Sequence, residues 1–386
     1  MDKSIPHIAA FGFRALNGVD GGIETHAREL YPRLANLGFR ITVLSRMQFQ
    51  QQNRTSVSID EAAPNLTSKP LYAPTTRGLE ALIHSAIAAG YCVFQRPDVV
   101  HVHGIGPSLF IPILRLFGLR IVMTHHGPDY DATKWRWFGR AVLQIGEGLG
   151  VRSANAVICV SNYIRDLIRR KYRVDAHTIY NGLPNSQSIE PPRDRHLRSL
   201  ETRRYVLMVG RLTPHKRIED VIAAMTDRDL ADIELVVCGS GSERDLYVQH
   251  LRNLARQQRN VKLLGFVSPE DLPWVYANSL CTVMASSYEG MPLAVLEALS
   301  FGSPTVLSRI PAHEELKLPA IQYFDLGNVE GIRACIHHVR EQPPDTRSMA
   351  ATTIDDRFDW DTIAAQTQSV FLQTIESATS DKKAVH

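Results

Sequence analysis

The chain runs twice through one alternation: a short apolar run of strand character, a loop, then apolar residues at helical spacing. In the first pass the strand-like runs are His7–Phe13, Arg40–Leu44, Asp98–His103, Arg120–His125, Ala156–Val160 and His177–Tyr180. The segments between them read as helices: Ile23 to Leu37 with Gly38 as a stop, Leu79–Phe94, Ser108–Phe117, Lys134–Arg152 and Asn162–Tyr172. In the second pass Tyr205–Val209, Glu234–Cys238, Val261–Leu264, Leu280–Met284 and Thr305–Leu307 are the strand runs. Repeated βα units lay strands parallel and cover both sheet faces with helices. The expected fold is α/β: two doubly wound, Rossmann-like parallel-sheet domains. Residues 183–203, rich in Pro, Ser, Arg and Glu without apolar periodicity, read as the linker. The domains are then 1–182 and 204–358, followed by an amphipathic helix over 359–377 carrying Trp360, Ile363, Val370 and Phe371. Residues 46–80 are polar and mixed and read as a loop with room for one strand.

A chain of 386 residues, 44% hydrophobic and 22% charged, fits two globular domains and excludes disorder as the main state. Net charge is +3, unevenly spread: residues 1–190 hold 21 Lys+Arg and 14 Asp+Glu, hence +7, and the remainder −4. That excess is too small for a nucleic-acid binder without a recognised motif. Five scattered cysteines without a CxxC read as buried thiols. The N-terminal MDKSIPHIAAFGF reads as a first strand rather than a signal peptide, and no apolar stretch reaches the ~18 residues of a membrane span. The expected location is cytosolic, with peripheral membrane contact as the alternative.

Ligands in such sheets sit at the carboxyl ends of strands, and the chemically suggestive residues follow strands here. Tyr288-Glu289-Gly290-Met291-Pro292-Leu293 leads into a helix holding Glu297. Pro292 fits a first helical position, leaving amides around Leu293 and Ala294 free for a phosphate. Glu289 stands where an attached sugar would be, and Glu297 where a ribose would reach. Taken alone, either glutamate is more often a surface charge. Gly210-Arg211-Leu212-Thr213-Pro214-His215-Lys216 adds two cations that can converge on a diphosphate. Gly239 lies in a short Gly loop, and Gly265-Phe266-Val267 in a turn suited to a base. In the first half, Gly21-Gly22 opens a helix and allows close backbone approach.

His101, His103, His125 and His126 lie at strand ends and raise the question of a metal. A buried His-x-His strand more often hydrogen-bonds within the core, and no carboxylate or Cys ligand falls at a familiar spacing. Asp129 and Asp131 would join only through folding. Arg165, Arg169, Arg170, Lys171 and Arg173 cluster near a helix end: solvated cations on the plainer reading, a contact for anionic lipid on the other. Trp135, Trp137 and Phe138, beside Lys134 and Arg136, divide likewise between core packing and an exposed interfacial face.

Glu289-x7-Glu297, Gly210-Arg211-Leu212-x3-Lys216 and Gly21-Gly22 together resemble GT-B retaining glycosyltransferases of family GT4, across nearly the whole chain. His125-His126-Gly127 resembles that family's His-Gly step, and the run from Thr124 through Trp135 is similar to a bacterial exopolysaccharide or capsule subgroup. The resemblance implies two domains facing a cleft, the first binding acceptor and the second a UDP-, GDP- or dTDP-linked sugar. Arg211 and Lys216 would neutralise the departing diphosphate, Glu297 hold the ribose and Glu289 the donor sugar. Gly21, Gly22, Gly239, Gly265, Phe266, Val267, Gly290, Met291, Pro292 and Leu293 would line the donor site. His126 would touch the sugar near its reacting centre, and the last helix would cross back to the first domain. The acceptor would be a lipid-linked saccharide in exopolysaccharide, capsule or lipopolysaccharide synthesis. No cofactor and no essential metal is expected, and Asp129-Tyr130-Asp131 is discounted as a metal motif. A sugar-nucleotide epimerase on the same architecture is the alternative enzyme, marked by donor isomerisation without acceptor. A non-catalytic nucleotide-sugar binder would bind without turnover.

Overall fold

The computed structural model describes residues 5–16, 21–50, 63–76, 79–128, 137–183, 189–200, 204–342 and 356–383. Its contacts divide the chain into two units, Met1–Gly182 with Arg357–His386, and Leu183–Asp356.

The first unit is a seven-stranded parallel sheet, ordered β3-β2-β1-β4-β5-β6-β7. Its strands are β1 His7–Phe11, β2 Arg40–Arg46, β3 Leu66–Leu71, β4 Val99–His103, β5 Ile121–His125, β6 Ala156–Cys159 and β7 His177–Thr178. Central strands β4 and β5 are buried at every residue, as a sheet covered on both faces requires. Edge strand β3 is polar and carries Lys69 and Pro70, residues that protect an edge and disguise it as loop. The helical region expected over 108–117 is a 3-10 turn, Pro107–Phe110, running into a helix, Ile111–Leu116, with Pro at the start of each. Lys134–Arg136 and the Asp129/Asp131 pair lie outside the described residues; the helix that follows is Trp137–Ser153.

Helix α1, Gly22–Asn36, buries Ala27, Leu30, Tyr31 and Leu34, the i, i+3, i+4, i+7 face of an amphipathic helix. That face shares a core cluster with Trp360, Ile363, Ala364 and Phe371 of the final helix, Trp360–Lys383. Gly182 is required there: a Cβ would come within 2.6 Å of the Trp360 ring.

The second unit is a six-stranded parallel sheet, ordered β10-β9-β8-β11-β12-β13. It comprises β8 Tyr205–Val209, β9 Glu234–Cys238, β10 Val261–Gly265, β11 Cys281–Met284, β12 Thr305–Ser308 and β13 Tyr323–Phe324. Two-residue β13 is too short to be seen as a periodic run. The segment read as a linker differs from that expectation. Asp194 caps a short helix, Arg195–Arg198, by accepting from the His196 amide, and Leu197 and Leu200 are buried with Tyr205, Val275 and Tyr276. Two leucines among many polar residues fall below any periodicity test but are enough to anchor the strand that follows. All five cysteines are buried free thiols. No described helix is long and apolar enough to cross a membrane.

Candidate functional site

In the second unit the ends of β8, β9, β10 and β11 are drawn together by backbone. Gly210 donates to the Cys238 carbonyl at 2.9 Å and Gly239 to Gly265 at 2.7 Å. Gly239 (φ +158°) has no room for a side chain, since a Cβ would lie 1.8 Å from the Gly210 carbonyl oxygen. The turn after β8 is fastened to the loop after β11: the Ser287 amide donates to the His215 carbonyl at 2.8 Å, and the His215 and Tyr288 rings stack at 4.7 Å.

This fastening brings Lys216 to Glu289, Nζ to Oε1 at 2.6 Å, with the side chains 16% and 13% exposed. Burial alone would raise the Glu289 carboxyl; the Lys216 charge and hydrogen bond, helped by Ser286 and His313, hold it instead at about 2. Glu289 is therefore ionised at neutral pH, and Lys216 is positioned by an anion before any ligand arrives. Arg211 is exposed, and its guanidinium has no partner among the described residues.

The helix after Glu289 spans Leu293–Ser300. Pro292 is its cap residue (φ −81°, ψ 90°), not its first helical residue as the sequence suggests, because its ψ is still extended. Pro292 nevertheless supplies the first carbonyl, accepting from the Val295 and Leu296 amides. The Leu293 and Ala294 amides have no acceptor among the described residues, as the start of a helix leaves them. Met291 and Pro292 are buried and Gly290 half-buried. Glu297 accepts from the buried Tyr276 hydroxyl at 2.9 Å. Phe266 is 59% exposed, whereas Val267 turns into the core with Tyr276 and Leu207, so only its backbone remains to meet a ligand. Gly265 carries φ +75°.

In the first unit Gly21 caps α1, and the first turn already has an anion. Glu24, buried, accepts from the Arg14 amide at 3.2 Å and its Nε at 2.9 Å. His101 and His103 do hydrogen-bond within the core. His101 Nε2 meets Thr124 Oγ1 at 2.7 Å, and the Tyr31 hydroxyl lies between His101 Nδ1 (3.0 Å) and His103 Nε2 (2.5 Å). His103 Nδ1 in turn is 2.9 Å from His126 Nε2. His125 faces elsewhere: its Nε2 contacts Glu147 at 3.0 Å, and Glu147 also accepts from Lys171 and Tyr172. Burial works against the Glu147 charge, but His125, Lys171 and Tyr172 together hold the carboxyl at about 2. Lys171 thus leaves the basic cluster to serve a buried carboxylate, and Arg165 pairs with Asp166.

Sequence reasoning missed Tyr276, His313, Arg14, Glu24, His26 and Glu147. His313 is fully buried and donates through Nδ1 to the Ser308 carbonyl, with burial lowering its pKa to about 4. For Glu147 a signal existed. Gly146, Gly148 and Gly150 interrupt one helical pattern, and a Cβ on Gly146 or Gly150 would stand 2.5 Å from the Ile105 carbonyl oxygen or 2.4 Å from Ser108 Cβ. Glycine in a helix often marks such close approach, and here it brings Glu147 to His125.

The family model described as Glycosyltransferase Family 4 matches residues 20–187, and that described as Glycosyl transferases group 1 matches residues 192–322. The chain is 25% identical to a glycogen synthase of Mycobacterium tuberculosis, over 92% of this chain and 91% of that protein. It is 28% identical to the UDP-Gal:alpha-D-GlcNAc-diphosphoundecaprenol alpha-1,3-galactosyltransferase of Escherichia coli, over 56% of this chain and 59% of that one. Among solved structures, Anabaena HepE in complex with UDP and glucose superposes with a TM-score of 0.74 at 17% identity, covering 95% of this chain and 99% of that one.

Proposed function

The chain belongs to the GT-B glycosyltransferases, its first unit of the family 4 type and its second of group 1, and from that premise we propose that it moves a sugar, with retention of configuration, from a nucleoside-diphosphate sugar to a lipid-linked saccharide. The observation that carries this reading is the Lys216–Glu289 pair held at 2.6 Å beside a helix start with two unused amides. Cleaving the bond between sugar and diphosphate develops charge on the leaving phosphate. Lys216, Arg211 and the Leu293 and Ala294 amides form an electropositive cradle for it. Glu289, kept ionised, accepts from donor-sugar hydroxyls, and Glu297, steadied by Tyr276, accepts from the ribose. The acceptor hydroxyl attacks from the face the diphosphate leaves, and the diphosphate oxygen takes its proton. Because protein groups neutralise the diphosphate, no metal is required at that step.

A lipid-linked acceptor in bacterial polysaccharide synthesis is supported by the diphosphoundecaprenol-linked sugar in the name of the Escherichia coli relative. Single exposed apolar side chains on three helices of the first unit, Phe94, Leu116 and Trp137 at 86%, 85% and 80% exposure, suit contact with lipid, with the protein working from the cytoplasmic side.

Thermal shift against nucleoside diphosphates and their sugars, with EDTA present, tests the reading in wild type and Lys216→Ala. The expected result is a selective rise in Tm for one nucleotide sugar, kept in EDTA and lost in the variant. No rise for any nucleotide in a folded protein would overturn it, and isomerisation of the donor without acceptor would point to an epimerase. The configuration of the product, read by NMR, tests retention.

A further inference from the structure

The first unit holds three imidazoles that come from three separate elements: His26 from α1, His103 from the end of β4, and His126 from the loop after β5. Their ring centroids lie 5.5, 5.0 and 5.2 Å apart. One ring nitrogen from each falls within 4.8 Å of the other two. We propose that this triad is a binding site for one divalent transition-metal ion of the zinc class, with three histidine ligands and a fourth position left to water.

The hydrogen bonds around the rings favour it. His26 is buried, its Nδ1 bonds Asn181 Oδ1 at 2.8 Å, and its Nε2 has no hydrogen-bond partner among the described residues. A buried polar nitrogen left bare is costly unless something fills the place. His103 likewise has its Nε2 against the Tyr31 hydroxyl, leaving Nδ1 on the side of His126. Metal-bound histidines are typically fixed in this way, through a hydrogen bond on the ring nitrogen remote from the ion. A tetrahedral ion with Zn–N bonds of about 2.05 Å spaces its nitrogens about 3.3 Å apart. The observed 2.9 Å between His103 Nδ1 and His126 Nε2 therefore needs only a small opening. His126 is half-buried, which gives an ion a way in. Among the described residues no carboxylate or thiol belongs to the group, and three imidazole nitrogens suit Zn²⁺, Co²⁺, Ni²⁺ or Cu²⁺ rather than Mg²⁺ or Ca²⁺. The three histidines belong to the first unit, and Lys216 and Glu289 to the second.

The test is a titration of the chelator-stripped full chain with Co²⁺. The expected result is visible absorption of tetrahedral character saturating at one equivalent, bleached by Zn²⁺, with a Zn²⁺-dependent rise in Tm because the ion ties three elements together. His26→Gln should abolish both signals. His101→Gln, which alters the neighbouring histidine outside the triad, should keep them, and Asn181→Ala should weaken binding about 10- to 100-fold. Circular dichroism and the nucleotide thermal shift, measured on the same samples, report folding and the second unit. Absence of Co²⁺ binding in folded wild type, or undiminished binding in folded His26→Gln, overturns the site, and a retained nucleotide response then leaves the transferase reading standing.

Discussion

Replacing Lys216 by Met removes a charge while keeping length and most of the volume, and it strands Glu289. The carboxyl is held at about 2 against an ordinary 4.5, and at 1.36 kcal/mol per pKa unit that difference amounts to about 3 kcal/mol. Both side chains are mostly out of water, so little of this is lost to screening. Amides of β8, which sits beside β11 in the second unit, should then exchange hydrogen about 100-fold faster at pH 7 if exchange follows unfolding of that unit. The pH dependence has a definite sign. In wild type the depressed carboxyl gives stability that is present above 4.5 and lost as pH falls towards 2. In the variant the Lys216 charge and hydrogen bond are gone and burial, the largest influence, raises the carboxyl, so its stability is full below 4.5 and falls as pH rises. The gap between the two proteins should therefore narrow from pH 7 to pH 5. Lys216→Met/Glu289→Gln should recover at least half the loss. The assay is hydrogen-exchange mass spectrometry of the β8 peptide, corrected for intrinsic rates. A cost under about 0.5 kcal/mol, or a gap that widens on acidification, would refute the reasoning.

Three further predictions rest on other residues. Gly239→Ala should cost more than about 3 kcal/mol in urea unfolding, because its Cβ meets backbone at 1.8 Å, while Gly38→Ala, at φ +94° with open space around it, should cost about 1 kcal/mol. Tyr276→Phe removes the 2.9 Å bond to Glu297; steady-state kinetics should show the donor KM raised several-fold with kcat within about twofold. Thermal scans should show stability falling from pH 6.5 towards pH 4, since His26, His84 and His313 are each lowered by burial to about 4 and must stay neutral in the fold; a flat Tm over that window would contradict the burial of these rings.

The two sheets are legible in the sequence because buried parallel strands are continuous apolar runs: VVHVH, IVMTH and YVLMV announce themselves. Edge strands and anchors are not. β3 is polar where it meets solvent, β13 is two residues long, and Leu197 with Leu200 is too sparse a pattern to register as core. The Lys216 turn and the Glu289 loop are visible as motifs after strands, yet only folding shows that the lysine is paired to the glutamate, across 73 residues of sequence. His26 is invisible for the same reason. It sits in the middle of an ordinary amphipathic helix, and nothing in its spacing points to His103 or His126.

The chain of contacts Thr124–His101–Tyr31–His103–His126 has a directional consequence. Each neutral imidazole carries one N–H and the tyrosine one O–H, so with the Tyr31 hydroxyl donating to one of its two histidines all four bonds can be satisfied in only two ways. Either every hydrogen points from Thr124 towards His126, which leaves the last ring with an outward Nδ1–H, or every hydrogen points back, which leaves that Nδ1 a bare acceptor. Passing from one to the other shifts a proton along the whole row without creating a charge. A threonine four groups away is thereby coupled to whether His126 offers a proton or a lone pair, and an ion on the triad would admit only the second polarity between His103 and Thr124.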